Sequence, residues 1–156
     1  MVEATIEIRA YLPGDEEAVA GVWHRAGKLA YPYLPRWQEL TLEKAREVFR
    51  EIIAGNCRIW VITACGRVVG YLAMQDAYID RLYVDPMEQR RGWGSRLIEL
   101  AKRMHPKGLR LHTHQANHPA RAFYERHGFR AVRFGVSPPP ESAPDVEYAW
   151  RSEESG

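Results

Sequence analysis

The chain has 156 residues, 46% of them hydrophobic and 27% charged, with a net charge of +2. This composition is ordinary for a soluble globular protein, and it gives no global argument for nucleic-acid binding. The amino terminus lacks the basic start and apolar core of a signal peptide, and no apolar run reaches the roughly 20 residues of a membrane helix. We therefore expect a cytoplasmic protein with one domain at residues 1–151 and a frayed charged tail at 152–156.

The first part of the chain predicts one strand followed by two helices. Residues 5–10 alternate as a strand does. Asp15 can cap a helix whose apolar residues recur at helical spacing, and Thr41 can cap a second helix that ends at Gly55. The segment 27–40 between them contains two prolines and three aromatic residues, and it predicts a loop.

The remaining chain predicts six strands and two helices. Two strand runs meet across Gly66, which favours a compact hairpin, and the next run stops at Pro86 because proline cannot donate to a sheet ladder. One helix follows a glycine-broken turn, and another has Pro119 in its first turn. This order predicts an α/β fold with a mixed sheet covered by helices. The seven strand runs are 5–10, 57–65, 67–75, 78–84, 109–114, 129–134 and 146–151.

The two cysteines lie at opposite ends of one strand run. Eight strand steps hold Cys57 and Cys65 roughly 26 Å apart, whereas a disulfide tolerates a Cα separation of only about 7 Å. Their spacing fits no zinc site. We expect buried free thiols.

The segment QRRGWG, Gln89 to Gly94, joins a predicted strand to a predicted helix. The first amides of a helix lack intrahelical partners, and the helix dipole adds positive potential there. Gly92 and Gly94 allow a ligand to approach the backbone, while Arg90 and Arg91 add positive charge. The pattern favours a phosphate or pyrophosphate ligand.

Two common phosphate motifs do not fit this turn. A P-loop requires Lys and then Ser or Thr after its last glycine, but Ser95 and Arg96 follow Gly94 here. A dinucleotide fingerprint requires a small residue where Leu97 stands. A glycine-capped turn without any ligand is an equally good interpretation of this motif alone.

A second segment adds a family resemblance. The turn resembles the Gln/Arg-x-x-Gly-x-Gly/Ala motif of the GNAT superfamily of acyl-CoA-dependent N-acyltransferases. The run NHPARAFYERHGF at 117–129 resembles the downstream motif of the same family, and the order of elements matches over about residues 4 to 151. The resemblance implies a single-domain α+β fold with a mostly antiparallel seven-stranded sheet that is splayed at its central strands and flanked by about four helices.

The resemblance also implies a binding site for acetyl-CoA as the acyl donor. The strand before the turn would offer its backbone to the pantetheine arm, as an added strand does. Asn117 would lie near the cofactor, although a helix N-cap is an equally good interpretation. The implied cofactor-binding residues are Leu82, Tyr83, Val84, Gln89, Arg90, Arg91, Gly92, Trp93, Gly94, Ser95 and Asn117.

Two residues are candidates for proton transfer. Given the resemblance, Tyr124 is the candidate acid that protonates the leaving thiolate, because a phenol and a thiol have comparable pKa values; without it, Tyr124 would be interpreted as core filling. Asp80, in a predicted central strand, is the candidate base. Pairing of Asp80 with Arg81, or exposure at a bulge, is at least as good an interpretation. Asp76 and Glu43 are weaker candidates.

We therefore expect an N-acetyltransferase that moves an acetyl group directly to a primary amine of a small-molecule or peptide acceptor. A non-catalytic acyl-CoA-binding or interaction domain is the alternative. The strand pair His112 and His114 has no third ligand at suitable spacing, so no metal is expected. We expect no nucleic-acid or membrane partner, and either a monomer or a homodimer. The aromatic residues of 27–40 either line an acceptor pocket or pack together.

Overall fold

The computed structural model describes residues 5–88, 91–139 and 141–152. Five α-helices are described, and α3 continues into a π-helical turn at Phe49–Ile53. The helices are α1 Glu16–Ala30, α2 Pro35–Glu39, α3 Leu42–Val48, α4 Trp93–Met104 and α5 His118–Arg126. The strands are β1 Ile6–Ala10, β2 Arg58–Ala64, β3 Arg67–Gln75, β4 Tyr78–Val84, β5 Leu109–His114, β6 Arg130–Val136 and β7 Pro144–Trp150.

The seven strands form one mixed sheet in the order β1-β2-β3-β4-β5-β7-β6, which confirms the predicted fold class. The pairs β1–β2, β2–β3, β5–β7 and β6–β7 are antiparallel. β4 and β5 are parallel, with Tyr78 opposite Arg110 and Ile79 opposite Leu111. A parallel pair requires a long crossover, which α4 provides between these two strands. The splay of the central strands stays a prediction.

Intramolecular contacts group the chain into two compact units. The first comprises residues up to Gln75 together with 81–97, and the second comprises 76–80 together with the chain from Ile98 onward. The core of the first unit lies where α1 and α3 pack on β2 and β3; it contains Val19, Val22, Trp23, Phe49, Val61 and Tyr71. The second unit buries Leu109, Leu111, Tyr124, Phe129, Val146 and Tyr148. A single domain at 1–151 stays a prediction.

The prediction of a loop at 27–40 was wrong in part. The helix α1 continues to Ala30, and the short helix α2 begins at Pro35, a residue that suits a first helical position. The cause is tertiary packing, because the Trp37 ring lies directly against Gly27: a Cβ on Gly27 would be 2.1 Å from it. Trp37 also contacts Trp23 at 5.1 Å and stacks on Tyr31 at 5.8 Å between ring centroids. Packing of the aromatic residues is thus confirmed, and their pocket role stays a prediction.

The hairpin between β2 and β3 corrects the expectation of buried thiols. Its two turn residues, Cys65 and Gly66, have φ angles of 52° and 80°, which is the pattern of a type I′ turn. Cys65 is exposed because it stands at the tip of this turn, and Cys57 is half-buried. Both cysteines are reduced thiols, and the Gln75 side chain donates to the Cys57 sulfur at 3.7 Å.

Candidate active site

The glycine turn belongs to the first unit, and two of its predicted residues, Gln89 and Arg90, lie outside the described residues. Gly92 has a φ of +82°, and a Cβ built on it would meet nothing within 4 Å. The Arg96 amide donates to the Gly92 carbonyl at 3.2 Å, so the hydrogen bonding of α4 begins at this glycine. The turn therefore presents backbone and open space at a helix start, as a bound phosphate requires.

A buried carboxylate fixes the chain just before this turn. Asp85 is 9% exposed. Its Oδ2 accepts from Arg25 at 2.6 Å and its Oδ1 from the Met87 amide at 3.1 Å. The Asp85 amide in turn donates to the Val69 carbonyl at 2.8 Å. These bonds tie the end of β4 to β3 and α1, and they set the direction in which the chain enters the turn.

A second buried carboxylate, Glu88, lies one step closer to the turn. It is 8% exposed and accepts a hydrogen bond from Arg67. Arg91 Nε lies 3.7 Å from Glu88 Oε2. The Arg91 guanidinium, which the sequence analysis expects to face a phosphate, is therefore also close to the Glu88 carboxylate. The sequence analysis missed Asp85 and Glu88. The spacing of Glu88 and Arg91, three residues apart, was the available signal.

Replacing Asp85 with Asn is expected to destabilise the protein by about 1–3 kcal/mol, because a charge-assisted bond to Arg25 is lost. Burial raises the pKa of Asp85, but the bonds from Arg25 and Met87 more than offset this and leave the pKa below its ordinary value. The contribution of Asp85 to the free energy of unfolding is therefore complete above its pKa in the unfolded chain, about 3.9. It is lost as the pH falls through the lower pKa that Asp85 has in the folded protein. Urea unfolding at pH 7 and at pH 3 measures this contribution. The free energy of unfolding should differ less between the variant and the wild type at pH 3 than at pH 7. An equal difference at both pH values would contradict this role.

The predicted pantetheine partners Leu82, Tyr83 and Val84 form the last three residues of β4. Gly70 on β3 allows β4 to approach closely, because a Cβ there would lie 2.8 Å from the Tyr83 carbonyl oxygen. Loss of hydration raises the pKa of Tyr83 well above its ordinary value, and neighbouring Tyr31 raises it further. Tyr83 therefore stays neutral, which suits a surface for an uncharged amide chain.

Asn117 belongs to the second unit and caps α5. Its Oδ1 accepts from the Ala120 amide at 3.3 Å, which confirms the N-cap interpretation. The Asn117 amide donates to the His114 carbonyl at 3.1 Å, so β5 and α5 meet in a tight turn. A contact of Asn117 with the cofactor stays a prediction.

Tyr124 lies on the buried face of α5 and is 7% exposed. Its ring contacts Phe123, Phe129 and Tyr148, with centroid separations of 5.2, 5.6 and 6.3 Å. The ring is thus part of the core of the second unit, as the packing interpretation expected. Its role as an acid stays a prediction.

A polar group next to Tyr124 was missed by the sequence analysis. The Tyr148 hydroxyl donates to Glu125 at 2.6 Å and accepts from Arg121 at 3.0 Å. Burial and Glu125 raise the pKa of Tyr148, which remains a neutral phenol. The spacing of Arg121 and Glu125, four residues apart on one helix, was the available signal.

The candidate base Asp80 is half-buried on β4 and belongs, like Asn117 and Tyr124, to the second unit. Its neighbour Arg81 lies over the Trp23 ring at 5.8 Å in the first unit. No group of three His, Cys, Asp or Glu side chains within residues 5–88, 91–139 and 141–152 could hold a metal ion. Over the same residues, no helix combines the length and the apolar character of a membrane span.

Comparisons with known proteins agree with the architecture. Residues 55–131 match the acetyltransferase (GNAT) domain family. The chain is 31% identical over 130 residues to the uncharacterized N-acetyltransferase YafP of Escherichia coli, covering 82% of this chain and 83% of that protein. It is 25% identical over 128 residues to the E. coli peptidyl-lysine N-acetyltransferase YjaB, covering 81% and 84%.

Two solved structures share the fold. The solution structure of apo YjaB superposes with a TM-score of 0.79 at 24% identity, covering 95% of this chain and 99% of that one. The PaiA N-acetyltransferase of Thermoplasma acidophilum, solved in complex with coenzyme A, gives a TM-score of 0.68 at 20% identity, covering 94% and 99%. The 31% identity to YafP over most of both chains, together with the matched GNAT domain, identifies the chain as a member of the GNAT family of acetyl-CoA-dependent N-acetyltransferases.

Proposed function

We propose that this enzyme acetylates a primary amine, and that the amine is the side chain of a lysine in a peptide or protein. The observation that carries transfer from acetyl-CoA is the open turn at Gly92, where a positive φ and empty space for a Cβ coincide with a helix start. The name of YjaB supports the choice of acceptor. A cytoplasmic location and a monomeric or homodimeric state are also proposed, from the sequence alone.

The residues at the turn fit the phosphate end of coenzyme A. Gly92 offers backbone without a Cβ, and the helix start offers amide donors, so Gln89 to Ser95 would hold the pyrophosphate. The backbone of Leu82, Tyr83 and Val84 would pair with the pantetheine amides. The bound donor supplies an acetyl thioester. This chain would hold the acetyl thioester and the acceptor amine in the geometry of the reaction. Holding them so lowers the activation barrier, because the two reactants then behave as parts of one molecule.

Tyr124 would complete the reaction by giving its hydroxyl proton to the departing sulfur. Burial at 7% exposure holds the ring in one orientation, which a proton donor needs. Asp80 is the base that the sequence analysis favours, and its half-buried position on β4 is compatible with that role.

Two matched peptides test the acceptor. One carries a free lysine side chain and an acetylated amino terminus, and the other carries an acetylated lysine and a free amino terminus. Thiol release from acetyl-CoA should accompany the first peptide and stay near background with the second. The reverse pattern would contradict a lysine acceptor, and it would leave a primary amine as the acceptor class.

Direct transfer predicts that neither cysteine is needed. The double variant Cys57→Ser, Cys65→Ser should keep kcat within about twofold, because no acyl-cysteine forms in this scheme. Cys65 stands at the tip of an exposed turn, so its replacement should also leave stability unchanged. Steady-state thiol release with the lysine peptide measures it. A folded double variant without activity would contradict direct transfer.

A further inference from the structure

The strand β6 lies at one edge of the sheet and carries exposed apolar side chains. It pairs with β7 on one side, and among the described residues no further strand pairs with its other side. Phe134 is 59% exposed and Val136 is 65% exposed. An edge strand presents unpaired backbone groups, and proteins usually protect such an edge with charges, prolines or bulges. Whether β6 has this protection decides whether another strand can add to it.

The protection of this edge is confined to the first half of β6. A bulge interrupts the register with β7 between Ala131 and Arg133, and Arg130 adds a charge just before it. Bulges twist an edge strand away from further pairing. From Arg133 to Val136 the register with β7 is continuous, without a bulge or a proline. The second half of β6 therefore has the regular geometry that strand pairing requires.

Two hydrogen bonds show which backbone groups of β6 point to the open edge. The Ser137 amide donates to a carbonyl just before β7 at 2.8 Å, so the backbone groups of Ser137 point towards β7. Opposite Val136, the Pro144 carbonyl points towards β5, where it accepts from the Gln115 amide at 3.0 Å. Pro144 also has no amide hydrogen to donate. Because backbone groups alternate between the two edges of a strand, Val136 and Phe134 direct theirs away from β7.

A second copy of the chain fits this edge in an antiparallel arrangement with Gly135 on the twofold axis. Phe134 of each copy then lies opposite Val136 of the other copy. Both residues direct their N–H and C=O groups outward, so each pair exchanges two hydrogen bonds, and an aromatic side chain packs against a β-branched one. Gly135 faces Gly135 of the second copy at the narrow position of the ladder, where it adds no side chain to the contact. The same surface serves both copies, as a twofold interface requires.

Other registers of the same strand pair lose these bonds. A shift by one residue places outward backbone groups opposite inward ones. A shift by two residues in one direction brings the bulge after Ala131 into the ladder. The opposite shift places Phe134 against Pro138 of the second copy, which has no amide hydrogen. The arrangement about Gly135 is therefore the one that satisfies the outward groups of both copies.

The charges next to β6 are complementary in this register. Arg133 lies opposite Ser137 of the second copy, and the Ser137 hydroxyl lies 3.1 Å from Glu141 Oε1. The side chain of Arg133 is 76% exposed and that of Glu141 is 36% exposed. Arg133 is opposite Glu147 and Glu141 contacts His114, and Glu147 and His114 lie on the same face of the sheet. Arg133 of each copy can therefore pair with Glu141 of the other.

We propose that the chain forms a homodimer through antiparallel pairing of β6 about Gly135, which joins the two sheets into one. The proposal narrows the monomeric or homodimeric state given above to a homodimer with a defined interface, and it does not depend on the acceptor. The paired segment is shorter than the standard interface of about 800 Å² per copy would need, so we expect a weak dimer with a Kd of about 1–100 µM.

Sedimentation velocity of the full chain across that concentration range tests the proposal. The wild type should pass from monomer to dimer. Val136→Pro removes the outward amide and no hydrogen bond to β7, so it should raise the dimer Kd at least about tenfold. Phe134→Ser should also raise it. Leu29→Ser is the matched control, because Leu29 is 62% exposed but lies on α1, and it should leave the Kd unchanged. Thermal melts establish that each variant is folded.

A mixing experiment tests the register itself. Arg133→Glu alone brings two carboxylates together at each ion pair, and Glu141→Arg alone brings two guanidinium groups together, so each variant should be monomeric across the same range. In a mixture of the two variants, every such contact joins opposite charges, and a heterodimer should form. Because it needs no proline, this experiment decides the matter even if Val136→Pro does not fold.

Three outcomes overturn the proposal. The wild type stays monomeric across the whole range, or folded Val136→Pro dimerises with the Kd of the wild type. In the third, the two folded charge variants gain no association on mixing.

Discussion

Replacement of Tyr124 by Phe is expected to lower kcat by about 10²–10⁴-fold, the usual contribution of a general acid. Phenylalanine keeps the ring that packs against Phe129 and Tyr148, so the fold and the acetyl-CoA Kd should change little. Only the hydroxyl that protonates the departing sulfur is lost. KM should not rise in parallel, because the missing interaction acts in the transition state.

Steady-state kinetics with the lysine peptide measures this effect. The loss should shrink with an acetyl donor whose thiol is more acidic, because a better leaving group needs less help. Tyr148→Phe is the matched control: it removes a hydroxyl from a neighbouring buried tyrosine that bonds Glu125 and Arg121. It should cost stability while kcat changes far less. Near-normal kcat in Tyr124→Phe would exclude the phenol as the acid and leave Tyr124 as a core residue only.

Replacement of Gly92 by Val is expected to raise the acetyl-CoA Kd by at least about tenfold, the equivalent of roughly 1.4 kcal/mol. A Cβ at this position would enter the open space beside the turn, where the pyrophosphate is proposed to lie. The φ of +82° also makes valine strained there, so some stability is lost for reasons unrelated to binding.

The chain provides a control for that strain. Gly66 has a φ of +80° and, like Gly92, would place a Cβ in open space, but it lies in the hairpin between β2 and β3. Gly66→Val should therefore lose a similar amount of stability, about 1–2 kcal/mol, and keep the acetyl-CoA Kd. Calorimetry on both variants, with thermal melts, separates binding from strain. An equal Kd for Gly92→Val and wild type would place the phosphates elsewhere.

The strands could be predicted from the sequence because their signals are local. Alternation marks β1, Cys65-Gly66 marks the hairpin, and Pro86 marks the end of β4. The short helix α2 could not be predicted, because the contact that stabilises it joins Trp37 to Gly27 across ten residues. An isolated run of five residues has no helical preference strong enough to be recognised.

The candidate site could be predicted only where its residues form a local pattern. The turn around Gly92 and the segment from Asn117 to Tyr124 are contiguous motifs, and both lie on the expected elements. The contact between Arg25 and Asp85, which fixes the chain before the turn, joins residues 60 positions apart. Burial and pairing of this kind depend on the completed fold, so no spacing in the sequence could have indicated them.

The central claim is that this protein transfers an acetyl group from acetyl-CoA to a lysine amine. The most direct measurement incubates the wild type with acetyl-CoA and the lysine peptide, and follows free thiol and peptide mass in the same sample. We expect one thiol released for each acetyl group gained by the peptide, with both signals strongly reduced in Tyr124→Phe. Tight acetyl-CoA binding without thiol release or a change in peptide mass, across lysine peptides of varied sequence, would contradict the claim.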